Sequence, residues 1–164
     1  MSKAFTKESG NGAFEEIVPE PKDLLPEGAK NYVTPEGAVA LRNELERLED
    51  EVRPRLVEKG EKPEAVDRRI QFFRDRVANM VIVDPKTQEQ DSVRFAATVT
   101  VADEDGNEKT YRIVGVDESD PKQGKISWIS PIAKALNSAR VGDVVRVELP
   151  DGDTELEVLV IEYR

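Results

Sequence analysis

The sequence predicts an α+β protein: an antiparallel helical hairpin followed by an antiparallel β-sheet domain carrying one short helix. Three observations predict it. Two apolar seams of helical period flank a Gly–Pro turn between about residues 35 and 80. From Val81 the pattern changes to alternation of period 2. Strong turn words, Asp-Glu-Asp-Gly and Pro-Asp-Gly-Asp, then punctuate the second half.

Residues 1–30 read as a disordered acidic tail. Gly10, Gly12, Pro19, Pro21, Pro26 and Gly28 mix with Glu15, Glu16 and Glu20, and no period persists. Such a stretch buries too little apolar area to offset its ordering entropy. Residues 31–81 are the hairpin. Thr34 is a good N-cap and Pro35 suits a first helical turn, where its missing N–H is not needed. Ala38, Leu41, Leu45, Leu48 and Val52 then recur at heptad spacing, with charges on the other faces. Pro54 is expected to kink or end this helix. The turn runs from Glu58 to Pro63, with Gly60 as stop and Pro63 as start. Val66, Ile70, Phe73, Val77 and Met80 form the second seam. Its helix, from about Glu64 to Asn79, spans roughly 24 Å.

Residues 82–164 are the sheet domain. Phe95, Ala97, Val99 and Val101 lie on one face of a strand that turns at Asp103–Gly106 and returns through Tyr111 and Ile113. Asp120–Gly124 is a loop and Lys125–Ile129 a short strand. Ser130-Pro131 then opens a short helix through Leu136 by the same cap logic as Thr34-Pro35. Strands over Val144–Leu149 and Leu156–Tyr163, joined at Pro150–Asp153, complete the sheet.

Composition narrows the function classes. The net charge is −10 and charged residues make up 35% of the chain. Phosphate affinity comes from Lys and Arg, so direct nonspecific DNA binding is disfavoured and partners with basic surfaces are favoured. The absence of Cys and His removes disulfides, thiolate or imidazole metal sites, and Cys–His or Ser–His catalytic pairs. No apolar run approaches a membrane span, so the expected location is the cytoplasm, with no membrane partner.

Several words of this sequence stand in a familiar order. They are Asn31-Tyr32-Val33-Thr34-Pro35-Glu36-Gly37; Val66-Asp67-Arg68-Arg69-Ile70-Gln71-Phe72; Tyr111–Glu118; Ile126-Ser127-Trp128-Ile129-Ser130-Pro131-Ile132-Ala133-Lys134-Ala135-Leu136; and Val141-Gly142-Asp143. From Asn31 to Arg164 the chain resembles the bacterial GreA/GreB transcription factors, with wording nearest GreB. The resemblance implies a coiled-coil finger, and a C-terminal domain of FKBP-like fold that grips the rim of the RNA polymerase secondary channel. Contact with nucleic acid is then only indirect, through the polymerase. In that family two acidic residues at the fingertip help hold the Mg²⁺ with which the polymerase cleaves backtracked RNA. Here the tip motif is absent and the hairpin is shorter by several helical turns. The layout resembles the short-coil Rnk type, the regulator of nucleoside diphosphate kinase. The expected function is therefore a polymerase-docking regulator that does not stimulate cleavage, with no enzymatic activity and no cofactor. The alternatives are a Rnk-type interaction protein, a monomer or weak homodimer in either case, and a peptidyl-prolyl isomerase suggested only by fold.

Each candidate site has a plainer counterpart. By resemblance Ile129, Ser130, Pro131 and Ile132 dock on the polymerase; the plain reading is a Ser-Pro helix cap with buried isoleucines. Arg68, Arg69, Arg74 and Arg76 offer RNA or channel contacts; the favoured alternative is pairing with Glu44, Glu46, Glu49 or Glu51 across the hairpin. Glu58, Glu61 and Glu64 surround the turn, and a solvated turn is preferred to a metal site. Trp128 reads either as an interface anchor or as packing beside the sheet. The isomerase alternative has only Phe95, Tyr111, Trp128 and Tyr163 to line a pocket. Asp117, Glu118, Asp120 and Asp143 are acidic loop residues needing no special role.

Overall fold

The structure, a computed structural model, describes residues 21–164. The predicted disorder of the tail lies, up to residue 20, outside the described residues. Contacts divide the chain into two compact units. Among the described residues one holds 21–23 with Val39–Asn79, and the other Leu24–Ala38 with Met80–Arg164.

The helical unit follows from its two seams. Helix α1 (Pro35–Arg47) enters it at Val39 and runs through a π-helical turn, Leu48–Val52, into α2 (Arg53–Glu58). The wide turn has a local cause. Pro54 has no N–H and its ring presses on the carbonyl one turn back. The helix responds by shifting register, so that the Arg53 N–H reaches the Leu48 carbonyl five residues earlier. The expected kink is thus a π-turn, and the helix continues beyond Pro54.

Gly60, at φ +71°, closes α2. The Glu61 N–H bonds the Leu56 carbonyl at 2.9 Å and the Gly60 N–H that of Val57 at 3.0 Å. This pair of bonds is a Schellman motif, which needs a left-handed residue at its centre. Helix α3 (Glu64–Asn79) follows. Leu48, Leu56, Val66 and Ile70 are buried together, with Leu45, Val52 and Phe73 packed around them. Arg53 bonds Asp67 at 2.7 Å, adding an exposed pair of modest value.

In the second unit, strands β1 (Asn31–Val33) and β2 (Met80–Ile82) pair in parallel. The main sheet has five strands: β3 (Thr98–Ala102), β4 (Glu108–Val114), β5 (Lys125–Ser127), β6 (Val144–Val147) and β7 (Thr154–Glu162). Their order is β5-β4-β3-β7-β6. The expected all-antiparallel sheet is corrected here: β5 runs parallel to β4. The crossover between them carries two 3₁₀ turns, Val116–Glu118 and Pro121–Gln123. It brings the chain back to the start of its neighbour, which a tight hairpin cannot do.

Helix α4 (Pro131–Leu136) adds Ala133 and Leu136 to the core of this sheet. Val99, Val101, Ile113, Leu136, Val147 and Val158 form the fully buried centre. Strand β3 begins at Thr98 rather than Phe95. Ala96 is left-handed (φ 70°), so Phe95 is displaced from the strand alternation.

Tyr163 fastens the last strand. Its hydroxyl accepts from the Arg94 N–H at 2.9 Å and donates to the Ser92 carbonyl. Tyr163→Phe leaves both groups without that partner and is expected to cost about 1–3 kcal/mol, read from urea unfolding. Burial raises the phenol pKa above its ordinary value of 10.0. The unfolded chain therefore gives up this proton first, and stability falls as pH rises above 10. Tyr163→Phe removes that tyrosine's share of the alkaline loss, which a pH series on both proteins checks.

Glu118 corrects the view of the acidic loop residues. Its carboxylate accepts from the Thr34 N–H at 3.1 Å, from the Thr34 hydroxyl, and from the Gly115 N–H at 2.8 Å. Asp120 and Asp143 cap locally, accepting from the N–H groups of Lys122 and Arg140.

Candidate functional site

The corner between β5 and α4 is built by local hydrogen bonding. The Trp128 N–H bonds the Val114 carbonyl at 3.0 Å, extending the register of β5. The chain then turns: the Ser130 N–H reaches the Ser127 carbonyl at 2.9 Å, and the Ile129 N–H reaches Ser127 Oγ at 3.3 Å. Ser130 Oγ accepts from the Ala133 N–H at 3.3 Å, so the predicted N-cap is present. Pro131 is exposed, while Ile129 and Ser130 are half-buried. Ile132 packs partly against the sheet core, whereas Ile129 is not among the side chains packed there. The four predicted residues thus form one rigid corner with Pro131 outermost.

An aromatic cavity of about 350 Å³ lies beside this corner, lined by Tyr32, Phe95, Ile113, Trp128, Ala133, Lys134 and Asn137. The Tyr32 ring lies 5.8 Å from Phe95 and 5.5 Å, edge-on, from Trp128. The Trp128 indole N–H is buried and has no hydrogen-bond partner among the described residues. Of the two sequence readings of Trp128 the structure shows the packing one: the ring lies against the sheet core and also forms one wall of this cavity. Sequence reasoning missed Tyr32, because the contacts that attach its segment to this unit, the pairing of β1 with β2 and the bonds of Thr34 to Glu118, are all long-range. Tyr111 lines a separate cavity with Ile132 and Leu149.

The basic residues of α3 do not form one free surface. Arg74 pairs with Glu49 at 2.6 Å and Arg69 with Glu44 at 3.8 Å, as the cross-hairpin reading expects. Hydrogen bonding from Arg47 holds the Glu44 carboxyl below its usual range, and the Arg69 charge adds to this. Arg76 is buried, stacked over Phe72 at 4.7 Å and paired with Asp23 at 2.9 Å. Its acidic partner therefore comes from the segment before β1 rather than from α1. Arg68 is exposed. Among the described residues no group of three or more Asp or Glu is arranged to hold a metal ion, and no helix is long and apolar enough to cross a membrane.

Residues 87–163, which contain this corner, match the family model described as transcription elongation factor, GreA/GreB, C-term. The transcription elongation factor GreB of Neisseria meningitidis serogroup B is 42% identical over 154 positions, covering 82% of this chain and 94% of the relative. This chain belongs to the GreA/GreB transcription elongation factor family. GreA of Alkalilimnicola ehrlichii is 40% identical, covering 82% of this chain and 99% of the relative. The crystal structure of GreA factor homolog 1 of Thermus thermophilus matches at 24% identity over 82% of this chain and 99% of that one, with a TM-score of 0.39. The GreB alignment also measures length. Since 82% of 164 residues is about 134, about 20 of the 154 aligned positions have no counterpart in this GreA/GreB chain.

Proposed function

We propose that this protein is a transcription elongation regulator that binds bacterial RNA polymerase at the rim of the secondary channel without stimulating transcript cleavage. The observation that carries the reading is 42% identity to a GreB elongation factor across most of both chains. The corner at Ile129–Ile132 supports the docking part. A capped turn with an exposed proline is rigid before binding, so little ordering entropy opposes association. The finer architecture belongs to this proposal too: a short coiled-coil hairpin ahead of an FKBP-like domain.

The non-cleaving part rests on the tip. The helices end at Lys59–Pro63, a five-residue turn without the paired acidic motif of the family, and about 20 aligned positions are lacking overall. We assign that shortage to the hairpin. A finger shortened by several turns does not bring a carboxylate to the polymerase centre. The protein acts as a binding factor, not an enzyme, and takes no cofactor. Of the basic residues on α3, the exposed Arg68 and Arg74 are the ones proposed to face the channel.

The test is binding of the whole protein to core RNA polymerase. Saturable binding is expected, weakened about tenfold by Pro131→Ala or Ser130→Ala, roughly the loss of one well-placed interface contact. Unfolding of each variant is followed in parallel, because loss of the Ser130 cap alone costs about 1 kcal/mol. No binding at tens of micromolar protein would remove the reading.

The aromatic cavity keeps the isomerase alternative in play, since Tyr32 joins Phe95 and Trp128 there. Fold resemblance does not carry activity. A proline-peptide isomerisation assay is expected to show no rate increase, and an increase abolished by Trp128→Ala would establish the alternative.

A further inference from the structure

We propose that Glu118 is a positioning residue that completes the N-terminal cap of helix α1 from 84 residues away, and that Gly37 is there to leave it room. In a capping box, the N-cap Ser or Thr accepts from the backbone N–H three residues on. A Glu at that third position reaches back to the N-cap N–H. Here the first half is ordinary: Thr34 Oγ1 accepts from the Gly37 N–H at 3.1 Å. The second half cannot come from position 37, which is glycine. Glu118 supplies it, accepting from the Thr34 N–H at 3.1 Å and from the Thr34 hydroxyl.

The space is taken to match. A Cβ on Gly37 would stand 2.2 Å from the Glu118 Cδ. One on Gly115 would stand 2.5 Å from the Tyr32 carbonyl oxygen and 2.8 Å from Glu118 Oε2. Thr34 has no exposed surface. The negative carboxylate sits at the positive end of a helix, the favourable arrangement for its dipole. Arg112 of β4 pairs with Glu36 in the same turn at 3.1 Å, a second contact on that turn within the sheet unit.

The location gives the clasp its consequence. The first turn of α1 belongs to the sheet unit, and from Val39 the same helix belongs to the helical unit. The clasp thus caps the turn at which the chain passes from one unit into the other. Glu118 therefore governs what the finger does, not whether the protein binds. This functional part rests on the polymerase reading above; the structural part does not.

Gly37→Ala separates the clasp from helix stability. Alanine is the better helix former, so the helix itself gains. Its methyl group, however, displaces the Glu118 carboxylate. The chain has no native cysteine. Spin labels at Glu61→Cys and Asp105→Cys therefore report the distance between the units in the whole protein. The wild type supplies the reference distribution. Glu118→Ala and Gly37→Ala are each expected to broaden it at least about twofold, with the Thr34 amide exchanging about tenfold faster. On polymerase, both variants are expected to bind within about twofold of wild type while losing most of the transcriptional effect. Unchanged distributions in both variants would overturn the clasp. Broadened distributions with full transcriptional effect would overturn its functional role. Failure of the wild type to bind polymerase would remove the functional reading while the label and exchange results still decide the clasp.

Discussion

Leu48→Ala is expected to cost about 3–5 kcal/mol and to unfold the helical unit selectively. Leu48 has no exposed surface and lies at the centre of a small cluster, with only Leu56, Val66 and Ile70 as buried companions. It also opens the π-turn. Its side chain therefore fills the place where the helix departs from regular geometry, and the neighbours have little freedom to collapse inward. Two short helices with a narrow seam are marginal, so a loss of this size removes most of what holds them together. Circular dichroism should show a fall in helix content with the sheet unit retained. Hydrogen exchange should show fast amides over 39–79 and slow amides in β3, β4 and β7. Equal loss in both units would mean that they unfold as one cooperative body.

Gly124→Ala is expected to be nearly as damaging, by about 2–5 kcal/mol, and to strike the corner proposed to dock. Gly124 lies at φ +69°, where an alanine is strained by about 1–2 kcal/mol. Its Cβ would also stand 2.7 Å from the Thr110 carbonyl oxygen, a backbone atom that moves only if β4 moves. Such overpacking adds typically 1–3 kcal/mol. The residue ends the crossover, and its carbonyl takes the Arg112 N–H at 2.8 Å. A shift here displaces β5, and with it the turn that presents Ser130 and Pro131. Weaker polymerase binding should therefore accompany the drop in urea midpoint. A variant that binds as wild type despite the lost stability would mean that the corner is positioned without β5.

Much of this was legible because it is local. The heptad seams placed Leu48, Val66 and Ile70 in the helical core, and Thr34-Pro35 and Ser130-Pro131 marked two helix starts that the structure retains. Leu56 was missed because Pro54 argued for an earlier end. A π-turn that frees the proline ring has no sequence period of its own. Parallel pairing of β5 was hidden for a similar reason, since period 2 records which residues face the core but not strand direction. The least legible features were the long-range ones. Nothing around Glu118 indicates that its carboxylate meets Thr34, and nothing around Tyr32 indicates that its ring meets Phe95 and Trp128. The one available hint was Gly37, a glycine inside the first turn of a helix, where it weakens the helix unless space is required.

The proposed non-cleaving, polymerase-docking role is decided by RNA cleavage in stalled elongation complexes, measured with this protein alone and in competition with the Neisseria meningitidis GreB to which it is similar. No shortening of transcripts is expected with this protein alone, and a dose-dependent suppression of GreB-stimulated cleavage that Pro131→Ala weakens about tenfold. Shortened transcripts with this protein alone, lost on joint replacement of Glu58, Glu61 and Glu64 by alanine, would contradict the non-cleaving reading. Undiminished GreB cleavage at saturating protein would contradict docking at the shared site.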